Sequence, residues 1–265
     1  MEKPILLTFD LEEFDLPLEF GCPISDEDQI NISNNGLQKL TILLSKYNIP
    51  ATFFTTAFYA DKNKELIRNL SKNHEIASHS KYHSGFNETD PLNSKSDLEE
   101  IIGKQVSGFR MPRFKKIDLA LLKEAGYSYD SSINPTIIPG RYNNFSAHRK
   151  IHFDVRANLI EVPVSVSPIF RFPLFWLSFK NIPLTFYTSL CKAAIRKDEY
   201  LHLYFHPWEF ADLSSFNIPG YIKKISGEAM SEKFEKLITE LHKIGDFMTI
   251  SDFIDNSSFK DVNRT

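Results

Sequence analysis

The sequence LLTFDLEEF, residues 6–14, decides how the rest of the chain is interpreted. Its hydrophobic and β-favouring residues lead directly into Asp10, Glu12 and Glu13, which predicts a buried strand that ends in a cluster of acids. Because burying an unpaired carboxylate costs several kcal/mol, acids at a strand tip are solvated, paired with a cation or bound to a metal. The alternative is a strand that simply continues into a charged loop, and the partners found further along the chain argue against it.

The composition narrows the class of protein. The chain has 265 residues and a formal net charge of −3, with basic and acidic residues intermixed, and this balance argues against a nucleic-acid surface. Cys22 and Cys191 stand in neither a metal-like nor a redox-like spacing, so no disulfide framework is expected. The opening residues lead into a strand without the pattern of a secretory signal, and we therefore expect a cytoplasmic protein with reduced thiols.

Segments with strand and helix patterns alternate through most of the chain, at intervals of roughly 25 to 30 residues. Residues 15–35 are rich in Pro, Asp, Asn and Ser and are expected to form an excursion over one end of the molecule. The predicted strands are 51–58, 74–80, 106–112, 127–132 and 200–207, and the predicted helices are 36–47, 62–70, 96–103, 117–125 and 231–244. This alternation is typical of a parallel sheet, open or closed.

The alternation breaks between residues 135 and 166, where IHFDVR and LIEVPVSV predict a β-hairpin. The aromatic-rich segment 169–190 follows and is interrupted by Pro173 and Pro183. Two interpretations of this segment remain open: a buried packing insertion, or an exposed apolar platform for a lipid-linked substrate or a membrane face. We expect a single domain, residues 1–265, with an insertion at about 135–198.

The chemically reactive side chains share one position in this pattern, the C-terminal end of a predicted strand. They are Asp10 and Glu12, His79, Arg110, Asp130 and His206. In parallel sheets and barrels, ligands bind at this edge because the loops converge there. The coincidence across five strands predicts one functional site.

His79 and His83, in HSKYH, are four residues apart, which on a helical turn places both imidazoles on one face. Two such nitrogens and one carboxylate make a facial metal site with open positions for water and substrate. Surface helices also carry this spacing by chance. Its place after a strand end, beside a strand that ends in acids, favours the metal site.

Two further side chains are candidates for catalysis. Arg110, in FRMPRF, is placed to hold a carboxylate bidentately and keep it ionised, and the alternative is a surface arginine in a salt bridge at the rim. His206, in LYFHPWEF, is a candidate general acid, and the alternative is a core histidine satisfied by a backbone carbonyl. His202, in the same strand, is expected to be structural.

Taken in order, the motifs TFDLEE, HSKYH, FRMPRF, YDSS and LYFHPWEF resemble those of the polysaccharide deacetylase family, also called carbohydrate esterase family 4 or the NodB-homology domain. The resemblance extends from residue 5 to about residue 254. It implies an α/β fold, a distorted (β/α) barrel that usually has seven parallel strands. It also implies a divalent metal, commonly zinc, in an enzyme that hydrolyses N- or O-acetyl groups on sugars.

By this resemblance, Asp10 is the catalytic base and His206 the catalytic acid. Arg110 orients the base, and His79 and His83 bind the metal. The implied reaction is metal-assisted amide hydrolysis, in which the base takes a proton from water and the acid protonates the departing amine. An amine is a poor leaving group, so the reaction needs that acid.

The first motif departs from the familiar pair of adjacent aspartates, because Leu11 occupies the second place. It resembles instead a variant in which the acid two positions on, Glu12, takes the metal, with Glu13 as a less favoured substitute. The fourth motif lacks the usual second aspartate and tryptophan, so Asp130 either tunes the catalytic histidine or caps its strand.

The resemblance also implies where the substrate lies. Backbone N–H groups after Arg110, above all that of Arg113, are expected to share the reaction's oxyanion with the metal. Trp208 is expected on the substrate side of the same site.

Three functions from different classes follow. The leading one is a cytoplasmic N-deacetylase that acts on a nucleotide-linked or lipid-linked sugar during surface glycan assembly. The second is a metal-dependent hydrolase of a small linear or cyclic amide, which a closed pocket would favour over an open groove. The third is a catalytically silent carbohydrate-binding relative, which the departure at Glu12 permits.

Overall fold

Strand β1 (Lys3–Leu11) lies inside a curled sheet of nine strands in the computed structural model, which describes residues 3–258. The remaining strands are β2 (Thr52–Thr55), β3 (Glu75–Ser78), β4 (Gly108–Phe109), β5 (Tyr129–Asp130), β8 (His152–Asp154), β9 (Leu159–Glu161), β10 (Leu201–Phe205) and β11 (Gly245–Met248), with β6 (Ile137–Ile138) and β7 (Tyr142–Asn143) in a separate hairpin. The sheet has the order β10-β1-β2-β3-β4-β5-β9-β8, and β11 also pairs with β1.

The sheet is parallel except for the antiparallel hairpin of β8 and β9, which confirms the predicted hairpin. Its two ends meet after β9, where the N–H of Val162 donates to Asp130 O (2.8 Å) and the N–H of Ser165 donates to His202 O (2.9 Å). The predicted distorted barrel is confirmed. In the described part of the chain it has eight parallel strands rather than seven, because β11 runs beside the first half of β1.

The alternation of side chains along β1 lets one strand serve both the core and the site. Leu7 and Phe9 belong to the main hydrophobic core, whereas Leu6 belongs to a second cluster. Successive side chains of a strand point to opposite faces, so Thr8 and Asp10 share the face of Leu6. This face leads to the C-terminal edge of the sheet, where the acidic residues follow.

The helices are α1 (Asp26–Lys46), α2 (Ala57–Lys62), α3 (Lys64–Leu70), α4 (Asp90–Ile102), α5 (Leu119–Glu124), α6 (Trp176–Asn181), α7 (Leu184–Asp198), α8 (Gly220–Lys223), α9 (Gly227–Leu241) and α10 (Ile250–Asp255). The predicted start of α1 at residue 36 is wrong, and the excursion over residues 15–35 is correspondingly shorter. The helix begins at residue 26 because Ser25 Oγ accepts a hydrogen bond from the N–H of Asp28 (3.1 Å) and acids occupy the first turn.

Helix α1 also supports the C-terminal edge of the sheet. Gly36 lies so close to the 3₁₀ turn Pro207–Phe210 that a Cβ atom at this position would stand 1.9 Å from Pro207 O. From the same helix, Ser33 Oγ donates to the carbonyl of Glu12 (2.6 Å). One helix therefore positions the backbone on both sides of the site.

The aromatic-rich segment 169–190 is mostly part of the core. Leu174 and Phe179 are fully buried, which agrees with the packing interpretation. Ile169 and Phe170 are the most exposed of its hydrophobic residues, with exposed fractions of 79% and 83%, and Phe186 is 54% exposed. In the described part of the chain, no helix combines the length and the hydropathy needed to cross a bilayer.

Candidate metal centre and active site

Three side chains beyond the ends of β1 and β3 converge on one point. Glu12 Oε2 lies 3.2 Å from His79 Nε2 and 3.3 Å from His83 Nε2. One ligand atom of each residue lies within 4.8 Å of those of the other two. The structure thus brings together the three residues that the sequence assigns to a metal.

The predicted helical turn for HSKYH is wrong. Residues 79–83 form a loop in which Ser80 has a left-handed backbone, with φ of 66°. The loop is tied to the start of α2, since the N–H of Ala57 donates to Ser80 O (3.1 Å) and the N–H of Phe58 donates to Lys81 O (2.9 Å). The reversal after β3, and not a helical repeat, places the two imidazoles nearly parallel with centroids 6.1 Å apart.

Each of these imidazoles has a partner for its second nitrogen. His79 Nδ1 donates to the carbonyl of Arg110 (2.8 Å), and His83 Nδ1 donates to Asp15 Oδ1 (2.6 Å). Because Nδ1 carries the proton of each neutral ring, the Nε2 lone pairs face Glu12. Such partners orient histidines that bind metals.

The carboxylate of Glu12 shows that these residues fit a cation. Its Oε1 accepts a hydrogen bond from Trp208 Nε1 (3.2 Å), whereas its buried Oε2 has no hydrogen-bond partner among residues 3–258. An anionic oxygen that faces two lone pairs is strongly unfavourable, so the three atoms need a positive charge between them, which either a proton on an imidazole or a divalent cation supplies. The nitrogen and oxygen donors suit zinc.

Electrostatics in the cluster favour an ionised Glu12. Burial raises the pKa of Glu12, but His83 and His79 outweigh burial and hold it below its usual range. Burial lowers the pKa of His83, but Glu12 and Asp15 outweigh burial and raise it to about 9. A divalent cation would compete with the proton on His83 for the same electrons.

Glu13 faces away from this cluster. Its Oε1 accepts a hydrogen bond from the backbone N–H of His83 (2.8 Å), and its Oε2 accepts one from Thr56 Oγ1 (2.7 Å). Both carboxylate oxygens are therefore occupied in supporting the histidine loop. Of the two adjacent glutamates, only Glu12 presents an oxygen to the imidazoles.

Asp10 lies beside the three residues and contacts Arg110. Its Oδ1 accepts a hydrogen bond from Arg110 Nη1 (2.6 Å), and its Oδ2 lies 3.9 Å from His79 Nε2 and 4.0 Å from His206 Nε2. Burial raises the pKa of Asp10, but the charges of Arg110, His79 and His206 outweigh burial and keep it below its usual range. An ionised carboxylate in this position can accept a proton.

Arg110 is fully buried, so the alternative of a rim salt bridge does not apply. The expected bidentate contact is not formed, because Nη2 donates instead to Ser131 Oγ (2.9 Å) and His202 Nε2 (3.0 Å). The guanidinium also lies 3.9 Å from the centroid of the Phe54 ring. Burial and the neighbouring guanidinium lower the pKa of His202 well below its usual value, so this histidine is neutral and supports the arginine.

His206 is held by a residue of the next turn, Glu209. Glu209 Oε1 accepts hydrogen bonds from the backbone N–H of His206 (2.7 Å) and from its Nδ1 (3.2 Å). The Nε2 atom points into the site, 3.9 Å from Glu12 Oε1. Burial lowers the pKa of His206, but Glu209, Glu12 and Asp10 outweigh burial and raise it above its usual value.

The fourth sequence motif has a different position. Asp130 accepts hydrogen bonds from the N–H of Ser132 (2.9 Å) and from its Oγ (2.6 Å), so it stabilises the turn after β5. Burial raises the pKa of Asp130 to about 7. The carboxylate that contacts the imidazole of His206 is that of Glu209.

Two models of known protein families match this chain. The model of the polysaccharide deacetylase family matches residues 1–129, and that of a domain of unknown function, DUF3473, matches residues 131–255. Through residues 1–129, the chain belongs to the polysaccharide deacetylase family. This is a family of hydrolases that cleave the amide bonds of acetylated sugars. No curated protein matches the chain.

Several solved structures have the same fold as this chain. A protein from Mycobacterium smegmatis that is named as a polysaccharide deacetylase has a TM-score of 0.66 and 18% identity, over 98% of this chain and 92% of that chain. The PuuE allantoinase has a TM-score of 0.66 and 13% identity, over 97% and 91%. A carbohydrate esterase family 4 pseudoenzyme from Bacillus anthracis has a TM-score of 0.52 and 13% identity, over 96% and 66%.

A cavity of about 420 Å³ opens onto the cluster. Eight of its 21 lining residues carry a Phe, Tyr or Trp ring, and six of these eight come from the second half of the chain. These aromatic residues are Phe20, Phe114, Tyr142, Phe175, Trp176, Tyr204, Trp208 and Tyr221. The volume and the wall suit a ligand of a few rings.

The remaining predicted residues line this cavity. Trp208 stacks on the His206 ring, with centroids 4.7 Å apart, and contacts Glu12 through its indole N–H. Arg113 has a left-handed backbone, with φ of 59°. Its guanidinium contacts Asp15 Oδ2 (3.3 Å) and Glu19 Oε1 (3.1 Å).

Two residues of the site, Asp15 and Glu209, were not predicted from the sequence. Asp15 lies 68 positions from the histidine it orients, and no local pattern connects them. Glu209 follows His206 by three positions, a spacing that joins side chains on one turn and was a usable signal.

Proposed function

We propose that the chain is a zinc-dependent deacetylase that hydrolyses an N-acetyl group on a sugar. One observation carries the proposal: Glu12 Oε2 is buried without a hydrogen-bond partner in the described chain and faces the Nε2 atoms of His79 and His83. Two imidazoles and one carboxylate leave coordination positions for water and substrate, as catalytic zinc sites do.

The roles of the other residues follow from their positions. When bound, a divalent metal polarises the acetyl carbonyl and lowers the pKa of a water molecule. Asp10 takes a proton from the attacking water, and Arg110 keeps this carboxylate ionised and oriented. His206 protonates the departing amine from Nε2. The backbone N–H of Arg113 is assigned to the oxyanion.

The two matched segments are proposed to form one catalytic domain, residues 1–265 with the insertion at about 135–198. Strands β1 to β4 come from the first segment, β5 lies at the boundary, and β8 to β11 of the same sheet come from the second. The metal ligands lie in the first segment, whereas His206 and Glu209 lie in the second. Neither segment contains all of the proposed site.

The proposed substrate is a nucleotide-linked or lipid-linked acetylated sugar, an intermediate of surface polysaccharide synthesis. Aromatic rings in the cavity offer flat faces for the C–H groups of a sugar. Arg113 and Arg141 border the same cavity, each 3.1 Å from Glu19, and guanidinium groups suit phosphate. Both cysteines are free thiols, which fits the proposed cytoplasmic location.

The exposed residues Ile169 and Phe170 support contact with a lipid or a membrane face. They lie at the tip of a bridged turn in which the N–H of Ser167 donates to Phe172 O (2.8 Å), so they are held outward. Replacing both by serine should weaken co-sedimentation with anionic vesicles, whereas Val155→Ser, on another exposed turn, should not. Equal binding by the double variant would contradict this contact.

A second candidate is hydrolysis of a small non-sugar amide. The limited volume of the cavity, about 420 Å³, favours it, since long polysaccharide chains need an open groove. The allantoinase shows that this fold also occurs in an amidohydrolase. A catalytically silent relative is the third candidate, and the pseudoenzyme shares the fold as well.

One assay separates these candidates. Acetate release is measured from free N-acetyl sugars, their nucleotide conjugates, chitooligosaccharides and allantoin, before and after removal of metal by a chelator. We expect release from a conjugated sugar that stops on chelation and returns with zinc. Full activity in a metal-free protein would refute the metal proposal, and inactivity of a zinc-loaded protein on every N-acetyl compound would refute the deacetylase.

A further inference from the structure

A buried lysine lies behind the proposed catalytic acid. Lys180, on α6, is only 3% exposed, and its Nζ lies 3.6 Å from Glu209 Oε2. The ammonium group lies 5.6 Å from the ring centroid of Trp176 and 5.8 Å from that of Trp208. Neither Nζ nor Glu209 Oε2 has a hydrogen-bond partner among the described residues. Since a buried ammonium group is costly without a counter-charge, Glu209 serves as the counter-charge of Lys180.

The two carboxylate oxygens of Glu209 have different partners. Oε2 faces Lys180, while Oε1 accepts the hydrogen bonds of His206. The ring of His206 is further confined by Trp208, which stacks on it, and by Trp176, whose centroid lies 5.3 Å away edge-on. The insertion therefore acts on the imidazole of His206 in two ways. Lys180 acts through Glu209, and Trp176 packs against the ring itself.

We propose that Lys180 is a positioning residue for the proton donor: it holds Glu209 in the orientation that keeps His206 Nε2 directed at the substrate. The inference rests on the proposed function, because it takes His206 as the general acid. In that step the water oxygen bonds to the acetyl carbon and the C–N bond breaks. The Nε2 proton moves to the amine nitrogen, giving acetate and the free amino sugar.

A purely structural role for Lys180 makes a different prediction. Proton donation matters for a poor leaving group such as an amine and much less for an aryl oxide, which leaves as an anion. An N-acetyl sugar and an aryl acetate therefore separate the two roles. Loss of packing slows both substrates, whereas loss of the oriented acid slows chiefly the amide.

The test compares Lys180→Met and Glu209→Gln with the natural chain. We expect kcat for the N-acetyl sugar to fall about tenfold or more, with KM and zinc content unchanged and a smaller loss for the aryl acetate. Lys180→Arg should restore part of kcat. Lys233→Met is the matched control, because Lys233 donates to backbone carbonyls of the same insertion, at Lys180 (3.4 Å) and Ile182 (3.0 Å). Equal losses on both substrates, or none, would overturn the inference.

A second measurement does not depend on turnover. In ¹⁵N-labelled protein, NMR of the His206 ring reports which nitrogen carries the proton. In the neutral ring of the natural chain we expect the proton on Nδ1, so that the second proton, taken up on Nε2, is the one donated to the amine; this preference for Nδ1 should be partly lost in Lys180→Met and Glu209→Gln. An unchanged ring signal in both variants would refute the positioning role, even in a protein that releases no acetate. If the natural chain released no acetate but the two variants had altered ring signals, only the proposed substrate would be refuted.

Discussion

The two halves of the chain contribute to one cavity by different means. Residues 3–130 contain the proposed metal ligands and the proposed base, which lie at or beyond the ends of β1 and β3 in one parallel sheet. Residues 131–258 contain the proposed acid, at the end of β10, and most of the aromatic residues that line the cavity, several of them in the insertion and in the turn after β10. The register of the sheet places both Asp10 and His206 at the same edge, whereas long-range packing places the groups that lie behind His206.

The histidines show the consequence of this difference. His79 and His83 are oriented by a carbonyl and a carboxylate of the first half, and their free nitrogens meet at Glu12. His206 is oriented by Glu209 and, behind it, by Lys180. Substitutions of site residues in the first half should therefore remove the metal. Substitutions around His206 in the second half should leave the metal bound and impair proton donation.

The largest expected effect tests the first half. Glu12→Gln should lose most bound zinc and reduce acetate release to background, since the carboxylate is the only anionic ligand in the proposed set. Zinc content is measured by elemental analysis of chelator-free protein. Glu13→Gln is the control and should retain zinc, because Glu13 contacts the histidine loop through hydrogen bonds only. The reverse result would exchange the two assignments.

The next effect separates the base from the ligands. Asp10→Asn should lower kcat by about 10²- to 10⁴-fold, the usual contribution of a general base, and should leave zinc content unchanged. Its Oδ1 accepts a hydrogen bond from Arg110, and its Oδ2 lies 3.9 Å from His79 Nε2, farther than Glu12 Oε2 does. A variant that kept most of its activity would show that another group accepts the proton.

A smaller effect is expected for a residue that only orients a ligand. Asp15→Asn should weaken zinc binding about 10- to 100-fold, because the neutral amide orients His83 less firmly. Competition with a zinc-binding dye measures the affinity. Glu19→Gln is the control, since Glu19 contacts Arg113 and Arg141 and neither histidine. Equal affinities for both variants would argue against this role.

The smallest effect on turnover is expected at Asp130, where stability should respond instead. Its folded pKa of about 7 exceeds the usual 3.8, so the folded chain holds an extra proton between these values, and the contribution of this group to stability falls as pH rises from about 4 to 7. Asp130→Asn lacks this titration. Its free energy of unfolding relative to the natural chain should therefore rise by about 1.4 kcal/mol per pH unit over that range.

Urea unfolding of both proteins at several pH values measures this difference. Acetate release by Asp130→Asn should stay within a few-fold of the natural chain, because Asp130 contacts Ser132 and not the acid. If turnover were abolished while zinc and folding were retained, Asp130 would belong to the catalytic residues after all.

Much of the first half could be predicted from local patterns. A strand has a period of two, so the hydrophobic residues of β1 place Asp10 on the interior face, and the parallel alternation places His79 and Arg110 at the same edge. The loop of residues 79–83 could not be predicted, since four-residue spacing fits a helix equally well. The start of α1 was missed because a polar first turn resembles a loop.

The sequence by itself determined the α/β alternation and the edge at which the reactive groups lie, because these follow from short-range periodicity. Its motifs also indicated the metal-facing residues, through their resemblance to those of a known family. Only the tertiary structure decided that Asp15 orients His83 and that Lys180 lies against Glu209. The reason is physical: a buried charge selects its partner by distance after packing, and many acids along the chain are equivalent until the fold brings one of them within reach.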